Sequence, residues 1–200
     1  SSNIYVLAGD YLTVVDSGND YTSFIQFFKL GFNPADIKKI VFTHGHRDHI
    51  SGLDDIRAFN YLQKSPMDVY AEERVSRALY SGFPYVFAEF KYPGIPQVRM
   101  HTITNDRFQI GDIQVQPIRM MHYRLPVLGF RLGDFAYLTD ANYIPENEKE
   151  KLYGVKYLVV NALRREAHIS HFTLTEALSL MEELSPRLGF LTHISHQMGL

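Results

Sequence analysis

Three histidines and an aspartate fall in one short run, Thr43-His44-Gly45-His46-Arg47-Asp48-His49. Side chains two apart in extended chain point the same way, so His44 and His46 can converge on one ion. The adjacent Asp48-His49 pair can then turn toward a second. Neutral imidazole and carboxylate are ligands that Zn, Mn or Fe accept, and Gly45 removes bulk where the loop must fold tightly. The chain has no cysteine, which excludes disulfides and thiolate zinc sites and leaves His and carboxylates as the ligands. The bland alternative is a solvated polar loop. Clustered His with Asp at a strand end is a metal signature, and the metal reading is preferred.

The elements that must hold this run are readable on both sides. Ile40-Val41-Phe42 is a strand that ends in the histidines, and Ser51 with Asp54 resembles a capping box before Leu53, Ile56, Phe59 and Leu62 at helical spacing. The histidines are thus expected in a loop between a strand end and a helix start. Upstream, residues 4–15 read as a hairpin around Gly9-Asp10. Phe24 to Leu30 then suits a packed helix ending at Gly31, with Asn33-Pro34 starting a short one. Downstream, residues 67–70 read as a strand, 72–80 as a helix, and the Gly, Pro and Tyr rich stretch 81–97 as irregular loop. Hairpins are expected at Gly111-Asp112 and Gly133-Asp134, a buried strand over 157–160, an amphipathic helix over 173–184 and a last strand over 189–191. Strands alternating with helices make the class α/β.

Length and charge bound the possibilities. Two hundred residues, 46 % of them hydrophobic, can bury a core and fit one domain over 1–200, or two similar halves packed as one. Lys plus Arg is 20 against 22 for Asp plus Glu, and a net charge of −2 gives no general reason to bind nucleic acid or anionic membrane. No stretch approaches the roughly 20 apolar residues of a membrane span, and the polar start is no signal peptide; a cytoplasmic protein is expected.

The run followed by Ser51-Gly52 resembles the signature of the metallo-β-lactamase superfamily. The resemblance implies an αββα four-layer sandwich and two divalent metal ions, Zn or Mn, with Fe as a further option. It implies that the remaining ligands come from later strand ends, where this chain offers His122, Asp140 and His193. Carried over residue by residue, His44, His46 and His122 hold one ion, Asp48, His49 and His193 the other, and Asp140 bridges them. Taken singly, His122 could be a satisfied interior histidine, Asp140 a helix cap before Ala141, and His193 a strand terminator.

Thr173 can cap the last long helix with Glu176 as partner, which leaves His171 just outside its start and free to face a site. That segment, with Leu125 to Gly129 and Leu191 to His196, resembles the cyclic phosphodiesterases that act on ribosyl 1,2-cyclic phosphate, relatives of the tRNA 3′-processing endonuclease. The resemblance implies hydrolysis of a small, cyclic phosphodiester through a metal-bridging hydroxide, with Asp48 orienting it and His171 stabilising the phosphorane or protonating the leaving alkoxide. His168 reads as a structural or substrate-edge residue. Arg164 and Arg165 are phosphate contacts or a solvated pair, and His101 and His196 read as structural, although His196 follows His193 closely enough to reach a substrate. The expected partner is a small phosphodiester, not nucleic acid or membrane, and a homodimer is compatible with the chain. The rivals are a nuclease like the tRNA-processing enzyme, β-lactam or thioester hydrolysis, which the His171 segment disfavours, and a metal-binding scaffold without turnover. Relatives extend further at each end, so both ends of this chain read as clipped.

Overall fold

A computed structural model describes residues 5–8 and 12–199 of the chain. They divide into two compact units. One is the chain up to Ile103 with Ile110–Asp112; the other is Thr104–Gln109 with Ile113–Leu200.

In the first unit, β1 (Tyr5–Ala8), β2 (Leu12–Val15), β3 (Ile37–Val41), β4 (Met67–Ala71) and β5 (Val98–Thr102) form a sheet in that order. β1 and β2 are antiparallel with Ala8 opposite Leu12, as a hairpin requires, although the expected Gly9-Asp10 turn lies outside the described residues. The other pairings are parallel. Parallel strands sit inside a fold, which explains the unbroken apolar runs Val14-Val15 and Ile40-Val41-Phe42. Helices α1 (Thr22–Lys29), α2 (Arg47–Ile50), α3 (Arg57–Gln63), α4 (Glu73–Gly82) and α5 (Pro84–Phe87) complete the unit. Ile37, Ile40, Phe42, Leu53, Ile56, Met67, Val69 and Leu79 are fully buried in its core, each side chain stabilising by about 1.5–3 kcal/mol.

Three expectations need correction here. The histidine run is not all loop, because Arg47–Ile50 is a helical turn with His46 at its N-cap. Ser51 therefore caps nothing; Ser51–Ile56 is a 3₁₀ segment continuing from that turn, with no side-chain cap. The stretch 81–97 is not all irregular, since Pro84 starts the turn of α5. Its far end is fastened by Asn60, which donates to the carbonyls of Ser65 and Gln97 (3.0 Å each) and accepts from the Gln97 N–H (2.8 Å).

The second unit carries β6 (Phe108–Ile110) apart from its last residue, with β7 (Ile113–His122), β8 (Leu125–Leu132), β9 (Phe135–Leu138), β10 (Tyr157–Asn161) and β11 (Leu188–Thr192), ordered β11-β10-β9-β8-β7-β6. The turns at Gly111-Asp112 and Gly133-Asp134 occur as expected, each glycine at positive φ (62° and 57°). β7 to β9 are antiparallel neighbours, and β10 and β11 run parallel to β9. The short helix α6 (Glu146–Lys149) precedes β10, and α7 (Leu174–Leu184) packs on β10 through Ala177, Leu180 and Leu184. The chain is thus α/β with two sheets. No helix of the described residues is long and apolar enough to cross a membrane.

Candidate metal centre

In the first unit the ligand-type residues follow β3. The His44 and His46 rings lie 4.7 Å apart and the His44 and His49 rings 4.1 Å apart, so three imidazoles gather as the spacing implied. Beneath them lies a residue the sequence reading missed. Asp16, wholly buried at the end of β2, accepts from His49 Nδ1 (2.8 Å), from the Thr43 N–H (2.9 Å) and from the Thr43 hydroxyl (2.8 Å).

Proton counting fixes the rings. A carboxylate only accepts, so the single hydroxyl proton of Thr43 goes to Asp16 and the hydroxyl oxygen accepts from His44 Nδ1 at 3.0 Å. His44 and His49 therefore both carry hydrogen on Nδ1, which leaves each Nε2 lone pair to bind a cation. Asp48 Oδ2 lies 3.5 Å from His49 Nε2. An outer carboxylate that, like Asp16, orients a ligating imidazole through its other ring nitrogen is a regular part of metal sites.

The second unit assembles a matching group at four chain positions: His122 ends β7, Asp140 follows β9, His171 precedes α7 and His193 follows β11. Asp140 is buried and its Oδ2 lies 3.1 Å from His193 Nε2 and 3.4 Å from His171 Nε2. Asn161, fully buried, clamps both backbone groups of Ala141 (2.8 and 3.0 Å) and so fixes where the preceding aspartate points. His122 Nδ1 donates to the Ser170 carbonyl (2.8 Å), which turns its Nε2 outward as an acceptor. One ligand atom each from His122, Asp140 and His171 lie within 4.8 Å of one another, close enough to share an ion.

His171 has the most informative surroundings. The Ser170 N–H donates to His168 Nδ1 (3.3 Å), so that atom is an acceptor and His171 Nδ1, 3.1 Å away, is the donor. Burial, with His171, Arg164 and His193 nearby, holds the His168 imidazole below its ordinary pKa and so favours this neutral form. The buried His171 Nε2 has no hydrogen-bond partner yet faces the Asp140 carboxylate. Two acceptors facing each other repel, so a proton on Nε2 or a cation between them satisfies both.

The remaining candidates are placed differently. Arg164 folds onto its own loop, donating to the carbonyls of Glu166 and Ala167 and to Gln197, and Arg165 Nε donates to the Met198 carbonyl. His101 pairs with Asp68 (2.7 Å) and stacks on Tyr70, a structural setting on β5, and His196 begins a 3₁₀ turn. The capping box at Thr173 and Glu176 is formed with both bonds present.

Residues 13–194 match the family model described as the beta-lactamase superfamily domain. The chain is 37 % identical over 163 residues to an octanoyltransferase of Porphyromonas gingivalis, covering 80 % of this chain but 33 % of that protein. It is 27 % identical over 217 residues to a ribonuclease Z of Pyrococcus furiosus, covering 96 % of this chain and 67 % of the relative. The chain thus spans a third of the first relative and two thirds of the second. Among solved structures, a diphosphatase from the PhnP family is similar with a TM-score of 0.87 and 32 % identity, over 98 % of this chain and 74 % of that one.

Proposed function

The chain belongs to the metallo-β-lactamase superfamily, in its PhnP and ribonuclease Z branch, and on that premise we propose that it is a metal-dependent phosphodiesterase acting on a small, cyclic phosphodiester. The observation that carries the proposal is the buried Asp16 and Thr43 network, which presets His44 and His49 as acceptors through Nε2. Such a network costs desolvation of a carboxylate and is explained by a cation on the far side of the rings.

In this proposal His44, His46, Asp48 and His49 of the first unit and His122, Asp140 and His193 of the second would hold divalent cations. When bound, divalent cations supply Lewis acidity toward a phosphoryl oxygen and toward water. Asp48, 40 % exposed, can accept a proton from an attacking water and orient it. His171 brings a proton on Nε2 to the departing oxygen, and neutral His168 holds its Nδ1–H in place.

The test is hydrolysis of bis-p-nitrophenyl phosphate with added Mn or Zn, alongside metal content of protein purified without chelator. We expect turnover that Asp48→Ala removes while the fold is kept. Full metal occupancy without turnover would leave a metal-binding scaffold. The ribonuclease Z likeness supports nuclease action as a second reading, which the net charge of −2 disfavours because RNA contacts need several Lys or Arg.

A further inference from the structure

Three cations of the second unit, Arg107, Arg131 and Lys151, line one cleft of about 280 Å³ together with Gln114 and Gln116. Gln116 and Arg131 are directly paired across β7 and β8, so their side chains leave the same face of the sheet. Arg107 stands just before β6, and its Nε donates to Gln116 Oε1. Lys151 comes from the 3₁₀ turn Glu150–Leu152, whose Leu152 is buried in the core of this unit.

The charges in this cleft do not balance. Lys151 has a counter-ion, because both Glu148 oxygens accept from its ammonium (2.8 and 2.7 Å). Among the described residues the two guanidiniums have none. Arg107 bonds to a neutral amide, and Arg131 donates to three carbonyls, from Nε to Gly133 (2.9 Å) and from Nη1 to Lys151 (2.7 Å) and Tyr153 (2.8 Å). No described residue lining the cleft carries a carboxylate. Like charges that share a cleft raise each other's energy, and at the half-buried Arg131 water and salt screen them less than at an exposed side chain. The carbonyls also hold Arg131 in one orientation with Nη2 unspent, so little side-chain freedom is lost when an anion docks. Two uncompensated positive charges match one dianion, and forked donors match the paired oxygens of phosphate.

We infer that this cleft binds a phosphate dianion, as inorganic phosphate or as the phosphate end of a phosphomonoester, between Arg107 and Arg131. It lies apart from the candidate ligands of its unit: Gln116 precedes His122 by six residues on β7, roughly 20 Å along an extended strand. The occupant is therefore not the group cleaved in the proposed reaction, and the site stands whether or not that reaction does. A bound anion would join β8 to the segment before β6 and so raise the melting temperature.

Inorganic phosphate and glycerol 3-phosphate are titrated separately into the purified full chain at constant ionic strength, and backbone amide signals are followed by NMR. With at least one of them the signals of Gln116 and Gly133 should move along a single binding curve while that of Arg77, in the first unit, stays in place. The dianion that binds more tightly identifies the source of the phosphate. Arg131 pins two turns, so Arg107 is the residue to replace: it is exposed and its bond goes to a side chain. Arg107→Ala should weaken the Kd read at Gly133 at least tenfold, and Arg107→Lys should fall between. Phosphate held at a bound metal would give a curve that Arg107→Ala leaves alone. No movement at Gln116 and Gly133 with either dianion, movement that chloride reproduces, or a Gly133 curve unchanged in Arg107→Ala overturns the site.

Discussion

Asp16 touches no proposed cation, yet it decides which nitrogen His49 presents and, through Thr43, which nitrogen His44 presents. Replacing it by alanine frees both rings to change tautomer. Asp16→Ala should therefore weaken metal affinity about 10- to 100-fold, the usual scale for removing an orienting carboxylate, as read by competition with a metallochromic chelator. Unaltered affinity would reduce Asp16 to a packing role. His171 is expected to behave differently. His171→Ala should keep its metal but lose roughly 10²- to 10⁴-fold in rate on diesters with alcohol leaving groups, and less with p-nitrophenol, which departs without needing a proton. Equal losses on both would assign His171 to stabilising the phosphoryl group. At this scale the histidine run was legible because its residue types and spacing are rare outside metal sites. Asp16 was not, because an aspartate between Val15 and Ser17-Gly18 reads as the turn after a strand. An ionisable residue closing an otherwise apolar run was the signal available.

The elements are held together by close approaches of backbone. Gly52, at the start of the 3₁₀ segment, donates to the Gly18 carbonyl (2.9 Å), and a Cβ on it would lie 2.1 Å from the Ser17 carbonyl oxygen. That oxygen cannot swing aside, because Ser17 is fixed by its N–H to the His49 carbonyl (2.8 Å). Gly52→Ala should destabilise the fold by about 3 kcal/mol or more and lower the melting temperature with or without metal. A melt unchanged within a degree would mean the segment shifts freely. Elements with local signatures were readable from sequence: the two Gly-Asp turns, and α7 with its Thr173 and Glu176 cap. Those held by distant partners were not. β5 is an edge strand with its start fixed by Asn60, and nothing within residues 97–102 announces that clamp. Ser51 and Asp54 have the spacing of a cap, but the turn begun at Arg47 had already supplied the helix start.

Across the molecule, acid should weaken the fold through Glu148. Burial pushes its carboxyl up, but the Lys151 ammonium, the Arg119 N–H and the Asn105 amide together outweigh it and hold the pKa below its ordinary 4.5. A carboxylate with a lowered folded pKa stabilises the fold above its unfolded pKa, and that share is lost as pH falls through the folded value. Glu148→Gln should therefore cost about 2 kcal/mol at pH 7, and the difference in melting temperature from wild type should shrink below pH 4.5. A gap constant down to pH 3 would sink this assignment. The α/β class was legible from alternating strand and helix patterns. The two separate cores were not, because apolar periodicity says which face is buried and not which other face it meets.

Asp16, Tyr123 and His193 all stand at strand ends with left-handed backbone, φ 60°, 57° and 55°, where a side chain costs about 1–2 kcal/mol that glycine does not. The first and last carry or support candidate ligands. Tyr123 does neither: it is exposed, the Arg124 guanidinium lies 5.2 Å from its ring, and its backbone N–H donates to Asn142 Oδ1 (2.8 Å), a bond that glycine would keep. Tyr123→Gly should hold or raise the melting temperature with metal content unchanged, and a clear drop would show that the ring packs for a purpose. A population of variants screened for heat endurance alone would not gain at Asp16, whose loss strands the buried Thr43 and His49 donors, and at His193 it would shed a candidate ligand. Screened for endurance and turnover together, it should settle on position 123.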